Sequence, residues 1–214
     1  MYTTKVSQFS QGRFLISAAA PAQFPPDFGA EVAFVGRSNA GKSSAINAIT
    51  QRHGLARTSK TPGRTRLLNF FELGTHQRIV DLPGYGYAKG PEAERLGWQP
   101  LVHALRARES LRGLFMIVDS RRGLTEGDDT LFDWATPTLR IHVLLTKADK
   151  LNRAESAKVL RETQAVLGDR ASAQLFSVPA KTGFDQARKT LAAWLDEKVA
   201  TIKNPDDLKA TGAD

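Results

Sequence analysis

Short apolar runs alternate with helix-like stretches along most of the chain. Runs typical of strands occur at residues 14–18, 31–35, 67–73, 78–82, 114–118, 141–145 and 174–178. Apolar periodicity predicts helices at residues 42–51, 93–109, 128–136, 154–167 and 185–199. Several of the strands are apolar on both faces, so we expect them inside a sheet that is covered by helices on each side. The pattern therefore predicts an α/β fold, with a doubly wound, mostly parallel sheet of six to seven strands.

The composition is that of a globular protein with one domain and short extensions. We expect the main domain to span residues 28–200. Residues 1–27 are predicted to form an N-terminal extension with a short strand and a proline-rich connector, and residues 201–214 a polar, mobile tail. No apolar stretch approaches about twenty residues and no charged-then-apolar leader is present, so we expect a cytoplasmic protein without a membrane partner.

The chain contains no cysteine, which excludes disulfides, cysteine nucleophiles and thiolate metal sites. A metal would therefore be held by oxygen or histidine, and oxygen ligands suit magnesium. Thirty Lys and Arg residues against 22 Asp and Glu residues give a formal net charge of +8. This excess suits an anionic macromolecular partner, and a basic surface without such a partner explains it equally well.

The segment after the first buried strand fits the pattern G-x-x-x-x-G-K-[ST] and opens a helix. Its glycines allow a tight loop in which backbone N–H groups and the positive end of the helix face phosphate oxygens. Lys42 is expected to reach the β- and γ-phosphates, and the Ser43 hydroxyl to ligate magnesium. The strand before the loop and the helix after it argue against an incidental glycine-rich turn. The predicted phosphate-binding residues are Gly36, Arg37, Ser38, Asn39, Ala40, Gly41, Lys42 and Ser43.

A second candidate element begins where the apolar run at residues 78–81 ends. It consists of Asp81, Leu82, Pro83 and Gly84. Asp81 is expected to hold magnesium through water while the Gly84 N–H meets the γ-phosphate. The following residues, 84–87, include two glycines and few apolar anchors, as expected of a nucleotide-sensitive switch. By itself, D-x-x-G is most often only a turn.

The end of a later buried strand matches the pattern [NT]-K-x-D, with Thr146, Lys147, Ala148 and Asp149. In this pattern one carboxylate accepts hydrogen bonds from the ring N–H and the exocyclic amine of guanine, donors that adenine does not present in that arrangement. The order of the three elements predicts a P-loop NTPase of the Ras-like G-domain type that binds GTP and GDP. A small-molecule kinase with the same phosphate loop is a competing class, and the residues at 146–149 argue against it.

These motifs resemble the EngB/YihA/YsxC family of bacterial GTPases, within the wider class that includes Era and the tRNA-modification GTPase. The resemblance extends from about residue 14 to about residue 195, and the segment Asp-Leu-Pro-Gly-Tyr-Gly-Tyr-Ala at 81–88 is its most specific signal. On spacing alone Thr58, Thr61 or Thr65 could close onto magnesium; the resemblance selects Thr65. It also implies a nucleotide-contacting stretch formed by Gly63, Arg64, Thr65, Arg66 and Leu67. A last guanine contact corresponds to Phe176, Ser177 and Val178, where Val178 departs from the small residue of the family pattern.

The expected chemistry is slow hydrolysis of GTP to GDP. Ras-like proteins often place a glutamine directly after D-x-x-G, whereas this chain has Tyr85, so we expect catalytic help from elsewhere. Asn39 lies at the position where related GTPases coordinate a potassium ion. The predicted catalytic residues are Lys42, Asn39 and Thr65, and the predicted magnesium ligands are Ser43 and Thr65.

The resemblance implies a role in assembling the large ribosomal subunit, with normal cell division and septation depending on it. The implied partner is that subunit or its precursor, including ribosomal RNA and proteins, and not DNA. Arginines are frequent in the polar segments, including residues 106, 108, 112, 121 and 122, which suits RNA phosphates, although each taken singly is more readily a solvated charge. The alternative is a septum- or membrane-associated structural GTPase, for which the sequence shows no basic amphipathic helix or lipid anchor. We expect a monomer.

Overall fold

A computed structural model describes residues 9–56, 67–85, 99–125, 128, 132, 135 and 139–197. Seven strands form one sheet in the spatial order β1-β3-β4-β2-β5-β6-β7. β1 and β3, and β3 and β4, pair antiparallel, whereas every pair from β4 to β7 is parallel. The strands are β1 (Arg13–Ala18), β2 (Ala30–Gly36), β3 (Leu68–Gly74), β4 (Gln77–Asp81), β5 (Leu111–Asp119), β6 (Arg140–Thr146) and β7 (Ser172–Leu175).

Four α-helices cover the sheet within the described residues. They are α1 (Lys42–Thr50), α2 (Gln99–Arg106), α3 (Arg153–Leu167) and α4 (Phe184–Leu195). α3 begins at a capping box, in which Asn152 accepts a hydrogen bond from the Glu155 N–H and Glu155 accepts one from the Asn152 N–H. None of the described helices is long and apolar enough to cross a membrane.

The core lies in two layers, one on each face of the sheet. Alternate residues of β2 show this division: Val32 and Phe34 pack on the face that α1 and α4 cover, and Ala33 and Val35 on the opposite face, with α2 and the end of α3. All seven residues of β2 are buried. The structure therefore confirms the predicted, mostly parallel sheet of six to seven strands with helices on both faces, and the sheet has seven strands.

Most predicted boundaries lie within two residues of the observed ones, but three elements end three or four residues earlier than predicted. The last strand was predicted at 174–178 and is Ser172–Leu175, because Ser177 turns out of the ladder to bind another loop. The last helix was predicted to reach 199 and ends at Leu195. The helix predicted at 93–109 is described from Gln99 and ends at Arg106.

The predicted N-terminal extension contributes directly to this fold. β1 forms the edge strand beside β3, and Phe9 and Ala18 are buried in the core. Residues 57–66, 86–98, most of 126–138 and the predicted tail lie outside the described part of the chain. The parallel strands β2, β4, β5 and β6 end at one edge of the sheet, where ligands of doubly wound folds bind.

Candidate nucleotide-binding site

The predicted phosphate loop connects the end of β2 to the start of α1. Gly36 ends the strand against β5, where a Cβ atom would lie 2.6 Å from the backbone oxygen of Ile117. Gly41 precedes α1 with a φ of 99°, which is readily available only to glycine. The strand, loop and helix thus have the arrangement that directs backbone N–H groups and the positive helix end toward an anion.

Two residues of the predicted guanine motif brace this loop from the end of β6. The hydroxyl of Thr146, which is almost fully buried, lies 2.5 Å from the backbone oxygen of Ala40 and 3.0 Å from that of Val118. Lys147 donates from Nζ to the backbone oxygen of Asn39 at 2.6 Å. The predicted base-binding and phosphate-binding elements are therefore in direct contact.

Lys42 and Asp81 meet at the end of β4. The Asp81 carboxylate is 7% exposed and accepts a hydrogen bond from Lys42 Nζ, with which it forms an ion pair. Burial raises the pKa of Asp81, and the positive charge of Lys42 opposes that rise. Both side chains belong to the predicted nucleotide site, so a bound phosphate would compete with Asp81 for Lys42.

Asp149 is oriented by the loop that follows β7. Ser177 donates from Oγ to Asp149 Oδ1 at 2.7 Å, and this hydrogen bond is the main reason that the pKa of Asp149 is lowered. The N–H of Ala148 donates to the backbone oxygen of Phe176 at 3.2 Å and joins the two loops. The carboxylate is thus held ionised, the form that accepts hydrogen bonds from guanine N–H groups.

The hydrogen bond from Ser177 to Asp149 also defines the register of the loop between β7 and α4. Ser177 and Thr182 exchange backbone hydrogen bonds at 3.0 and 3.1 Å, and the Ala180 N–H donates to Ser177 Oγ. Phe176 and Ser177 are fully buried, while Val178 is 38% exposed. Val178 thus follows directly after the residue that orients Asp149, and a contact from its N–H to guanine stays a prediction.

The segment that begins at Asp119, at the end of β5, was not predicted from the sequence to be part of the site. Asp119 accepts hydrogen bonds from Arg121 Nε at 2.9 Å and Nη2 at 2.6 Å, and from Lys147 Nζ at 2.9 Å. The Arg121 guanidinium, with Lys147, holds the pKa of Asp119 well below its usual range. A cleft lies between this segment and the phosphate loop. The sequence does contain a signal for this segment, because Asp119 ends a buried strand as Asp81 does.

Tyr85 docks the start of the predicted switch onto the phosphate loop. Its backbone oxygen accepts from the Ser38 N–H at 2.9 Å, and its N–H donates to the Gly36 oxygen at 3.3 Å. Its hydroxyl donates to Asp128, which is 1% exposed. Burial and the Asp128 carboxylate raise the pKa of Tyr85 far above its usual value, so the phenol stays protonated.

A short chain of hydrogen bonds links Asp128 back to the phosphate loop. Thr125 donates to Asp128 Oδ2 from its N–H at 2.7 Å and from its hydroxyl at 2.9 Å. Arg37 Nη1 donates to the Thr125 hydroxyl at 3.2 Å. The switch residue, the segment after β5 and the phosphate loop are therefore connected by side chains as well as by backbone.

The oxygen donors present fit the predicted magnesium ion. No group of three His, Cys, Asp or Glu side chains placed to hold a metal occurs within the described residues. Magnesium needs only one or two protein oxygens, because it keeps several waters and binds substrate phosphates. Ser43 in the first turn of α1 and Asp81 at the end of β4 can supply them. Thr65, with Gly63, Arg64 and Arg66, lies outside the described residues, and Leu67 directly precedes β3.

Comparisons with known proteins agree with this geometry. A family model described as 50S ribosome-binding GTPase matches residues 31–147. A probable GTP-binding protein EngB of Coxiella burnetii (strain CbuK_Q154) is 48% identical over 195 residues, which cover 89% of this chain and 95% of the relative. The chain belongs to the EngB family of GTP-binding proteins. The relative from Azoarcus sp. (strain BH72) is 51% identical over 203 residues, covering 92% of this chain and 97% of its own length.

Solved structures show the same fold at lower sequence identity. The crystal structure of a probable GTP-binding protein engB has a TM-score of 0.63 at 22% identity, covering 79% of this chain and all of its own. Era of Aquifex aeolicus bound to GDP and AlF4⁻ has a TM-score of 0.59 at 18% identity, covering 79% of this chain and 57% of its own. The predicted family and the predicted P-loop GTPase fold are thus confirmed, and guanine-nucleotide binding is supported.

Proposed function

We propose that this EngB-family protein hydrolyses GTP slowly with Mg²⁺ and acts as a nucleotide-gated switch in assembly of the large ribosomal subunit. The observation that supports GTP hydrolysis is that the phosphate loop, the end of β4 and the end of β6 meet at one edge of the sheet. Lys42 lies against Asp81, and Lys147 binds both the phosphate loop and Asp119. We further propose that the protein is a cytoplasmic monomer on which normal cell division depends.

Nucleotide binding would begin with an exchange of partners at Lys42. Its ammonium group leaves Asp81 for the β- and γ-phosphates, while backbone N–H groups at the start of α1 face the same oxygens. Asp81 then becomes free to hold water on the metal side, and Ser43 offers its hydroxyl there. Bound magnesium supplies neutralisation of the developing negative charge. Asp149, oriented by Ser177, selects guanine.

Slow turnover follows from the position of Tyr85. The residue after Gly84 holds its hydroxyl on buried Asp128 and packs among the core side chains on one face of the sheet. A protonated phenol engaged in that way cannot orient the attacking water as an amide does. We propose that Asn39, exposed in the loop, takes part in binding a potassium ion that supplies the missing positive charge.

Two facts support the ribosomal role. The matching family model carries the description 50S ribosome-binding GTPase. The net charge of +8 suits a partner rich in phosphate.

Co-sedimentation with purified large ribosomal subunits tests the proposal. The protein is compared with a non-hydrolysable GTP analogue, GDP and an ATP analogue at near-physiological salt. Binding favoured by the GTP analogue supports the switch. Equal binding in all three states overturns the nucleotide gating, and absent binding in all three overturns the ribosomal role. An Asp149→Asn variant serves as the matched control, because it should lose GTP-favoured binding and regain it with a xanthosine triphosphate analogue.

Hydrolysis is tested separately by phosphate release. We expect little turnover in sodium, a several-fold increase in potassium and no turnover without magnesium. Turnover that does not change between sodium and potassium, with and without ribosomal particles, would refute the potassium step.

A further inference from the structure

A second, larger pocket lies at the opposite edge of the sheet from the nucleotide site. Its volume is about 370 Å³, and it lies where β5 and β6 begin, between the end of α2 and the residues after α4. β5 spans nine residues, or roughly 30 Å at about 3.3 Å per residue. A partner bound in this pocket would therefore not overlap with a nucleotide.

Four arginines line this pocket, and we call it the arginine pocket. They are Arg106, Arg108, Arg112 and Arg140, with Glu109 and Glu197 as the acidic residues. Two of the arginines already have carboxylate partners. Arg108 binds buried Glu31 through Nε at 2.6 Å and Nη2 at 2.8 Å, and Arg140 binds Glu197 at 2.6 Å.

Within the described part of the chain, the Arg112 and Arg106 side chains form no ion pair with a carboxylate, although the charges of Glu197 and Arg112 interact across the pocket. Arg112 Nε is buried and has no hydrogen-bond partner there, and Arg112 Nη2 makes only a long contact of 3.5 Å with the Gly29 oxygen. The Arg106 side chain makes no hydrogen bond with a described residue. A buried guanidinium N–H without an acceptor is costly, so an acceptor from outside the chain would stabilise this arrangement.

The charge of the pocket selects the kind of acceptor. Glu31 pairs with both Arg78 and Arg108, and Asp27 lies 3.8 Å from Arg108, so these four charges balance. Among the other lining residues, three arginines stand against Glu109 and Glu197, which leaves a positive excess. The planar guanidinium fork matches the oxygens of a phosphate, and two adjacent forks can bind one phosphate group from two sides. Leu111 and Leu139 add apolar side chains to the lining, which suit contact with the sugar of a nucleic-acid backbone.

We propose that the arginine pocket binds a backbone phosphate of large-subunit ribosomal RNA through Arg106 and Arg112. The choice of this RNA as the source of the phosphate rests on the proposed function. The contact lies at the far edge of the sheet from the γ-phosphate site, so it adds affinity in every nucleotide state and leaves the switch segments free to discriminate between GTP and GDP.

Paired arginine variants test the proposal on particles and on free RNA. The Arg106→Ala/Arg112→Ala double variant removes both arginine contacts to this phosphate. The matched control is Arg153→Ala/Arg161→Ala, which removes two exposed arginines of α3 and changes net charge equally. Affinity for large subunits is measured with a GTP analogue over a range of salt, and affinity for transcribed large-subunit RNA by filter binding.

We expect the pocket variant to bind both probes at least about tenfold more weakly, with a salt slope shallower by about one because one phosphate contact is lost, and the control to stay within about twofold of the parent. Affinity for GTP should be unchanged in both variants, which reports intact folding. Arg112→Lys keeps the charge but loses the fork, so it should show part of the loss.

The outcomes separate the inference from the proposed function. Equal binding by the pocket variant and the control overturns the pocket. Weaker binding to particles with unchanged binding to free RNA overturns the assignment to RNA and points to a ribosomal protein. If the parent protein binds large subunits in no nucleotide state, the proposed function fails, and loss of binding to free RNA in the pocket variant would still support the pocket.

Discussion

Removing the Tyr85 hydroxyl separates a structural role of this residue from a catalytic one. In Tyr85→Phe the aromatic ring can keep its place in the core, while Asp128 Oδ1 loses the hydrogen bond from the phenol. The carboxylate keeps two donors, the N–H and the hydroxyl of Thr125, both on Oδ2. Among the described residues, the substitution therefore removes one of three donors to a carboxylate that is 1% exposed.

The expected loss of stability in Tyr85→Phe follows from these hydrogen bonds. A hydrogen bond to a charged acceptor contributes about 1.5–3 kcal/mol, and the two remaining donors keep Asp128 from being fully orphaned. We expect the free energy of unfolding to fall by about 1.5–2.5 kcal/mol. With a urea m-value of about 2 kcal/mol/M, the midpoint moves down by roughly 1 M.

Urea unfolding at a fixed GDP concentration measures this change, because bound nucleotide itself shifts stability. A double-mutant cycle with Asp128→Ala isolates the pair, and the coupling energy should account for most of the loss. Turnover of GTP should stay within about twofold, since the phenol does not orient the nucleophile. A change in unfolding free energy below about 0.5 kcal/mol would refute a stabilising role for the Tyr85–Asp128 hydrogen bond. A fall in turnover of tenfold or more would mean that the hydroxyl acts in catalysis.

Three further predictions concern other parts of the molecule. Asp149→Asn should weaken GDP binding by about ten- to a hundredfold and favour xanthosine diphosphate, because the amide cannot accept both guanine hydrogen bonds. Fluorescence titration measures both affinities, and an unchanged preference for guanine would exclude Asp149 as the base contact. Burial lowers the pKa of His142, so the unfolded chain takes up a proton first as pH falls. Stability in urea should accordingly fall below about pH 6.5, and His142→Gln should reduce that dependence; equal slopes in both proteins would contradict it. Gly36→Ala places a Cβ atom 2.6 Å from the Ile117 oxygen and should lower stability by about 1–3 kcal/mol and weaken nucleotide binding, measured by thermal unfolding with and without GDP.

The sequence predicted the sheet and the ends of its strands because both leave local patterns. β2, β5 and β6 each contain an apolar run of three residues or more, and the chemical motifs begin where those runs stop. The error at β7 has a local cause. Phe176 is apolar and extends the ladder by one hydrogen bond to Leu145, so the apolar run does not show that Ser177 leaves the sheet to bind Asp149.

The contacts that shape the site could not be predicted because they join distant residues. Tyr85 and Asp128 are 43 positions apart, and Arg37 and Thr125 are 88 apart. Neither periodicity nor a motif marks such a pair. In the same way, composition shows that arginine is abundant, but only the packing shows that Arg108 has a buried carboxylate partner while Arg112 Nε has no partner among the described residues.

The phosphate loop is braced from both flanks, and each brace belongs to an element that is predicted to contact a different part of the nucleotide. On the β4 side, the backbone of Tyr85 binds Gly36 and Ser38 directly after the segment expected at the γ-phosphate. On the β6 side, Lys147 binds the Asn39 oxygen two residues before the expected guanine contact. Both braces hold the same short loop. We therefore expect a change in the number of phosphates or in the base to affect the hydrogen bonds that position this loop. Weakening either brace should therefore lower affinity for the whole nucleotide and not only for the part that its element is predicted to contact.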